Sequence, residues 1–124
     1  MNQIVYELAK MIGIRIEADK NLPDIILVDT GNSKFLVVFA EVVATDGPIN
    51  QKRKEALLKL ATDAGFDTKQ IAFLTAFADR AASAYRKAAP ELAWGSFVWF
   101  ASEPDHVVVL RDGRHESRKL ADFL

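Results

Sequence analysis

Two carboxylates interrupt apolar segments of this chain where a charge is unfavourable. Asp24 follows a proline at the start of the run "DIILVD", and Glu41 lies near the end of the longer run "FLVVFAEVV". A buried carboxylate destabilises a fold unless a partner offsets its charge, and a metal ion is one such partner. The pattern therefore singles out Asp24 and Glu41 as candidate site residues.

The two runs that carry these acids have the composition of β-strands. The turn-forming segment "DTGNSK" separates them. We predict a hairpin of strands at 24–29 and 35–43, the second apolar on both faces and therefore central in its sheet. In an antiparallel pair the start of one strand lies beside the end of the other, and side chains alternate between faces. Asp24 and Glu41 would then be neighbours.

Neighbouring carboxylates repel each other unless a cation joins them. Mg²⁺ prefers oxygen ligands and keeps several waters, and it supports the attack of water on a phosphodiester. In the alternative interpretation, Asp24 is a hydrated residue at a strand entry and Glu41 pairs with a lysine. Structural ion pairs of that kind are common, so the spacing of the acids leaves both interpretations open.

A basic segment, "GPINQKRKEAL", begins the next predicted element. We predict a helix over residues 51–64, capped by Asn50 and ended by Gly65. At 100° per residue, Arg53 falls on the apolar face of this helix, whereas Lys52 points roughly the opposite way. An inward guanidinium needs an anion, which is either one of the two acids or a bound phosphate.

The rest of the chain alternates helical and strand patterns. Apolar spacing predicts a helix at 2–12 and strands at 14–18, 71–77, 96–102 and 106–110. A further helix is predicted to be capped by Asp79 and to run through Lys87. This order predicts an α/β protein with a mixed sheet and helices on both faces.

The composition of the 124 residues is that of one globular domain. The chain has 16 basic and 17 acidic residues, so its net charge argues neither for nor against nucleic acid as a partner. It has no cysteine, which excludes structural disulfides and thiolate metal sites and is compatible with the cytoplasm. We find no signal peptide pattern and no apolar run of membrane-spanning length.

Five sequence blocks resemble, in order, the C-terminal region of the BsuBI/PstI-type restriction endonucleases. They are "LPDIIL", "AEVV", "GPINQKRKEAL", "LTAFADR" and "AWGSFVWFASEPDHVV", and the resemblance covers residues 22 to about 113. The resemblance implies a PD-(D/E)XK nuclease-like mixed sheet flanked by helices, with an extra helix and strand pair at the C-terminal end. It also implies a Mg²⁺-dependent type II endonuclease that acts on double-stranded DNA, and palindromic targets would suit a homodimer.

The resemblance assigns roles to particular residues. Asp24 and Glu41 match the two acids of the motif and would be the metal ligands and catalytic acids. Glu7, in the predicted first helix, is a candidate third metal ligand.

The expected motif lysine is missing from this chain. It should stand two residues after Glu41, where the sequence has Val43. Arg53, or in second place Lys52, would then supply the positive charge. An arginine stays protonated and cannot act as a general base, but it can stabilise developing charge.

The missing lysine and the near-neutral charge also favour an alternative: a catalytically inactive domain of the same fold that binds nucleic acid or a partner protein. We expect residues 1–124 to form a single catalytic-type domain. The further N-terminal DNA-reading region that the resemblance implies has no counterpart here, as in an excised domain or a naturally short relative.

Overall fold

The apolar segments of the sequence form five strands in a computed structural model that describes residues 23–29, 36–43, 47–113 and 119–124. The strands are β1 (Ile25–Asp29), β2 (Leu36–Val42), β3 (Ile71–Phe77), β4 (Ser96–Phe100) and β5 (Val107–Leu110). The α-helices are α1 (Gln51–Asp63) and α2 (Ser83–Ala88), and short 3₁₀ helices lie at Thr68–Gln70, Ala89–Glu91 and Leu120–Phe123.

The strands form one mixed sheet in the order β1-β2-β3-β4-β5. The outer pairs, β1 with β2 and β4 with β5, are antiparallel, whereas β2, β3 and β4 run parallel. Parallel neighbours need crossover connections, and α1 and α2 provide them. The carboxyl ends of β2, β3 and β4 therefore lie at one edge, and the antiparallel β1 begins at that edge.

The predicted hairpin is confirmed by the pairing of its two strands. Ile25 lies opposite Ala40 and Ile26 lies opposite Phe39. β2 has β1 on one side and β3 on the other, so the prediction of a central strand is also confirmed.

Helix α1 covers one face of the sheet. Its residues Leu57 and Ala61 are fully buried and belong to one core cluster with Ile26, Phe39 and Phe73. Burying a leucine of this kind contributes roughly 1.5–3 kcal/mol. This packing anchors the helix that carries the basic segment.

The ends of α1 agree closely with the sequence prediction. The Asn50 side chain accepts a hydrogen bond from the backbone N–H of Arg53 at 2.8 Å, which satisfies one of the free donors of the first turn. Beyond the last turn, Gly65 has φ of +95°, a conformation that glycine adopts without strain.

Helix α2 packs on the same face as α1. The centre of its Tyr85 ring lies 5.2 Å from that of Phe77 and 4.9 Å from that of Phe100, and both ring pairs are nearly edge-on. The prediction that Asp79 caps this helix is wrong. The Asp79 side chain instead accepts from the N–H of Ala81 at 2.8 Å in a separate turn, and Ala82 is extended, so the helix begins only at Ser83.

The opposite face of the sheet is apolar, and no helix among the described residues covers it. It contains a groove of about 570 Å³ whose lining includes Ile25, Leu27, Val42, Leu74 and Trp99. Both α-helices of the described segments pack on the other side. The helix predicted at 2–12 and the strand predicted at 14–18 lie outside the described residues.

The mixed α/β sheet that the sequence predicted is thus observed. No helix among the described residues is long and apolar enough to cross a membrane.

Candidate active site

Asp24 and Glu41 meet at the end of the β1–β2 hairpin. The register pairs Ile25 with Ala40, and its continuation by one residue sets Asp24 opposite Glu41. The Asp24 carboxylate turns across the end of β2, where its Oδ2 accepts a hydrogen bond from the Val42 N–H at 2.8 Å. The backbone of one strand thus orients the acid carried by the other.

Glu41 is a buried acid, only 4% exposed. Burial raises its pKa above the ordinary value, because the charged form has lost most of its hydration. The Arg53 guanidinium opposes this rise by its hydrogen bond and its charge, whereas the neighbouring Asp24 carboxylate adds to it. Taken together, these influences raise the pKa of Glu41, as expected for a buried carboxyl group beside a second one.

Arg53 reaches Glu41 from the first turn of α1. Its Nε and Nη2 lie 2.8 and 2.7 Å from the same oxygen, Oε1. The inward direction agrees with the helix geometry deduced from the sequence, and the anion that Arg53 meets is Glu41. Glu41 therefore has an arginine partner, where the structural alternative expected a lysine.

The other predicted site residues are not gathered at this pair. Lys52 lies on the exposed surface of α1. Val43 follows the end of β2 and packs beside the core cluster around Phe77, so the position of the expected motif lysine is apolar. Glu7 lies outside the described residues, and its role as a metal ligand stays a prediction.

Lys54 is directed to a different partner. Its Nζ donates to the backbone carbonyl of Trp94 at 2.8 Å and stands 6.0 Å from the centre of the Phe73 ring. The neighbouring Gly95 has φ of +80°, a conformation that favours glycine, and a Cβ there would lie 2.7 Å from Nζ, so the lysine end would have to shift. The positive charge of Lys54 holds the loop before β4.

The sequence analysis missed Thr75. This fully buried residue of β3 pairs with Glu41 in the parallel register, and its Oγ1 accepts a hydrogen bond from the Ile49 N–H at 3.1 Å. Its signal was present in "IAFLTAF", where a single hydroxyl interrupts an apolar strand as Glu41 interrupts β2.

The donor set at the hairpin end suits a hard cation. Asp24 and Glu41 offer carboxylate oxygens, and Mg²⁺ typically binds one or two carboxylates while keeping several waters. Within the described ranges no cluster of three or more Asp, Glu, His or Cys side chains is present. The site is thus a carboxylate pair with an adjacent arginine.

A mixed sheet with three parallel strands at its centre and helices packed on it defines an α/β fold of the kind found in a solved restriction endonuclease. The chain belongs to the BsuBI/PstI restriction endonuclease domain family, whose family model matches residues 1–113. It is 29% identical over 102 residues to the type II restriction enzyme BsuBI of Bacillus subtilis, an alignment that covers 82% of this chain. The solved structure of the SdaI restriction endonuclease superposes with a TM-score of 0.70 and 26% identity over 94% of this chain.

These relatives are much longer than this chain. The alignments cover 30% of the length of BsuBI and 34% of the SdaI chain. The described similarity therefore concerns one region of each relative.

Proposed function

We propose that this chain is the catalytic region of a Mg²⁺-dependent type II restriction endonuclease that hydrolyses phosphodiester bonds of double-stranded DNA. The observation that carries the proposal is the meeting of Asp24 and Glu41 at the hairpin end, with Arg53 bonded to Glu41. Membership of a restriction endonuclease family supports the same reaction.

Asp24 and Glu41 would hold the metal ion through carboxylate oxygens. Their fit rests on the all-oxygen donor set and on the charge balance, because two adjoining carboxylates carry more negative charge than Arg53 alone neutralises. When bound, Mg²⁺ supplies Lewis-acid chemistry that lowers the pKa of a water nucleophile and neutralises phosphate charge. In the net reaction, the water oxygen bonds to phosphorus, one P–O ester bond breaks, and a proton from the water ends on the leaving oxygen, which becomes a hydroxyl group.

The chain's own residues would orient the two carboxylates and neutralise negative charge at the phosphate. The Val42 N–H holds Asp24 in place. Arg53 is a permanent cation, so it stabilises negative charge without exchanging a proton. Its bonds to Oε1 also fix the Glu41 carboxylate before any substrate arrives.

A cleavage assay tests this function directly. The protein is incubated with several supercoiled plasmids of different sequence, in Mg²⁺ and in EDTA, beside Asp24→Asn and Glu41→Gln. We expect Mg²⁺-dependent nicking or linearisation by the parent, lowered more than about 100-fold in either variant because each loses a metal ligand.

Asp105→Asn serves as the matched control, since it removes one carboxylate from an exposed turn. Its cleavage should equal that of the parent. Absence of Mg²⁺-dependent cleavage by the folded parent, or equal cleavage by Asp24→Asn and Glu41→Gln, would contradict the proposal.

A second candidate function is a non-cleaving domain that binds nucleic acid or a partner protein. Val43, in the position of the motif lysine, favours it. Such a domain would shift DNA in a gel without cutting it, and Asp24→Asn would leave the shift unchanged. Mg²⁺-dependent cleavage excludes this candidate.

Symmetric cleavage of both strands requires two active sites, so we propose a homodimer on palindromic DNA. Because the proposed substrate is chromosomal or invading DNA, we place the protein in the cytoplasm. Sedimentation with and without DNA measures whether the protein forms a dimer.

A further inference from the structure

Thr75 is an unusual polar residue in the core of this sheet. It is fully buried in the middle of β3, between apolar neighbours. Among the described residues, the other fully buried hydroxyl is that of Ser96, which donates to the Ala93 carbonyl only three residues away. The hydroxyl of Thr75 instead bonds a residue 26 positions away in the sequence, Ile49.

The Ile49 backbone is held on both sides. Its N–H donates to Thr75 Oγ1 at 3.1 Å, and its carbonyl accepts from the Ala93 N–H at 2.9 Å. Its side chain is fully buried. Ile49 directly precedes Asn50, the cap of α1, so these bonds fix the place where the helix begins.

The start of α1 determines where Arg53 lies. Arg53 comes four residues after Ile49, and its N–H is bonded to the Asn50 side chain. On the sheet, Thr75 is the register partner of Glu41, the acid that Arg53 contacts. One residue of β3 thus stands beside the acid and holds the helix that carries the cation.

We propose that Thr75 is a positioning residue whose hydroxyl fixes the start of α1 and thereby sets Arg53 onto Glu41. Its effect on cleavage rests on the proposed nuclease function. Its effect on the Arg53–Glu41 contact does not, so the two can fail separately.

The test compares Thr75→Val, which keeps the shape and removes the acceptor, with Thr75→Ser, which keeps the hydroxyl. The first readout is hydrogen exchange of the Arg53 Nε–H, measured by NMR. Its signal is assigned as the one that is missing from the spectrum of Arg53→Lys. We expect exchange about 10-fold faster in Thr75→Val, because a fixed donor becomes mobile, and near-parent exchange in Thr75→Ser.

Val98→Ala is the control for general destabilisation. Val98 is fully buried in β4 and pairs with Thr75, but it makes no side-chain hydrogen bond. It should lower the urea midpoint while the Arg53 Nε–H exchange stays within about 2-fold of the parent. Equal exchange in the parent and Thr75→Val would show that Thr75 acts by packing alone.

The second readout is the rate of Mg²⁺-dependent cleavage in a double-mutant cycle. We expect Thr75→Val to lower the rate about 10-fold in the parent and less than about 2-fold in Arg53→Ala, since the effect passes through Arg53. Additive effects would overturn the proposal. If the parent does not cleave DNA, the nuclease function fails and the exchange readout still decides the role of Thr75.

Thr75→Cys covers the case in which Thr75→Val does not fold. A thiol is a weak acceptor of nearly the same size, so Arg53 exchange should be faster than in Thr75→Ser. Equal protection in the Ser and Cys variants would contradict the proposal.

Discussion

Arg53 places two nitrogens, Nε and Nη2, on one oxygen of Glu41, at 2.8 and 2.7 Å. The carboxylate is almost fully enclosed, whereas about a quarter of the Arg53 side chain is exposed. The pair therefore joins a buried anion to a cation at the rim of the site. Glu41 depends on Arg53 for its charge balance more than Arg53 depends on Glu41.

Removal of Arg53 should affect both stability and cleavage. Arg53→Ala leaves a buried carboxylate without its cation, and we expect a loss of about 1–3 kcal/mol, below the value for fully buried pairs because Arg53 is partly exposed. Lys52→Ala, which removes the same charge from the exposed side of α1, should change stability by less than about 0.5 kcal/mol.

Urea unfolding and plasmid cleavage measure these two variants. Arg53→Lys should regain part of the stability but not the two-nitrogen contact. A larger loss of cleavage in Lys52→Ala than in Arg53→Ala would identify Lys52 as the source of the positive charge.

Mg²⁺ should stabilise the folded protein if the carboxylate pair binds it. Binding to the folded state alone raises the free energy of unfolding by about 1.4 kcal/mol at ten times the Kd, which corresponds to a few degrees in Tm. Thermal unfolding at pH 7.5 across a MgCl₂ titration measures the effect, with an equal ionic strength of NaCl as reference.

The Tm increase should disappear in Asp24→Asn and Glu41→Gln and persist in Asp105→Asn. A Mg²⁺-dependent increase that survives both site variants would place the ion elsewhere.

Glu41 should make stability depend on pH in a defined direction. Its pKa in the fold lies above the ordinary value of 4.5, so between those two values the folded state holds more protons than the unfolded state. Stability then falls as pH rises through this interval, and the full loss remains at higher pH. We expect the difference in unfolding free energy, parent minus Glu41→Gln, to decrease from acid to neutral pH.

Urea unfolding at a series of pH values in EDTA measures this difference. Glu91→Gln, which removes an exposed carboxylate, controls for net charge. A difference that grows with pH would mean that Arg53 outweighs burial at Glu41.

The apolar sheet face that no described helix covers gives a prediction for the amphipathic sequence at 2–12. If its apolar face, which includes Leu8, covers the groove beside Leu27, Leu8→Asp should lower the unfolding free energy by at least about 2 kcal/mol. Gln3→Asp adds the same charge on the opposite side of the predicted helix and should cost less than about 0.5 kcal/mol.

Equal effects of Leu8→Asp and Gln3→Asp would contradict this packing. Sedimentation of the parent then shows whether the chain self-associates, which cover by a second copy would require.

The local sequence determined the elements that carry the site. Apolar runs rich in β-branched residues predicted β1, β2 and β3, and Asn50 and Gly65 predicted the ends of α1, because strand composition and helix caps depend on residues near in sequence. The same reasoning directed Arg53 toward the sheet. It misplaced the start of α2, since Asp79 suits a turn as well as it suits a helix cap.

Only the tertiary structure decided which side chains share the site. The parallel register sets Thr75 beside Glu41, and its bond to Ile49 spans 26 residues. Lys54 and Arg53 are consecutive cations, yet one meets the Trp94 carbonyl and the other meets Glu41. Neighbours on a helix point 100° apart, so their partners depend on the packing of distant segments, which no local pattern specifies.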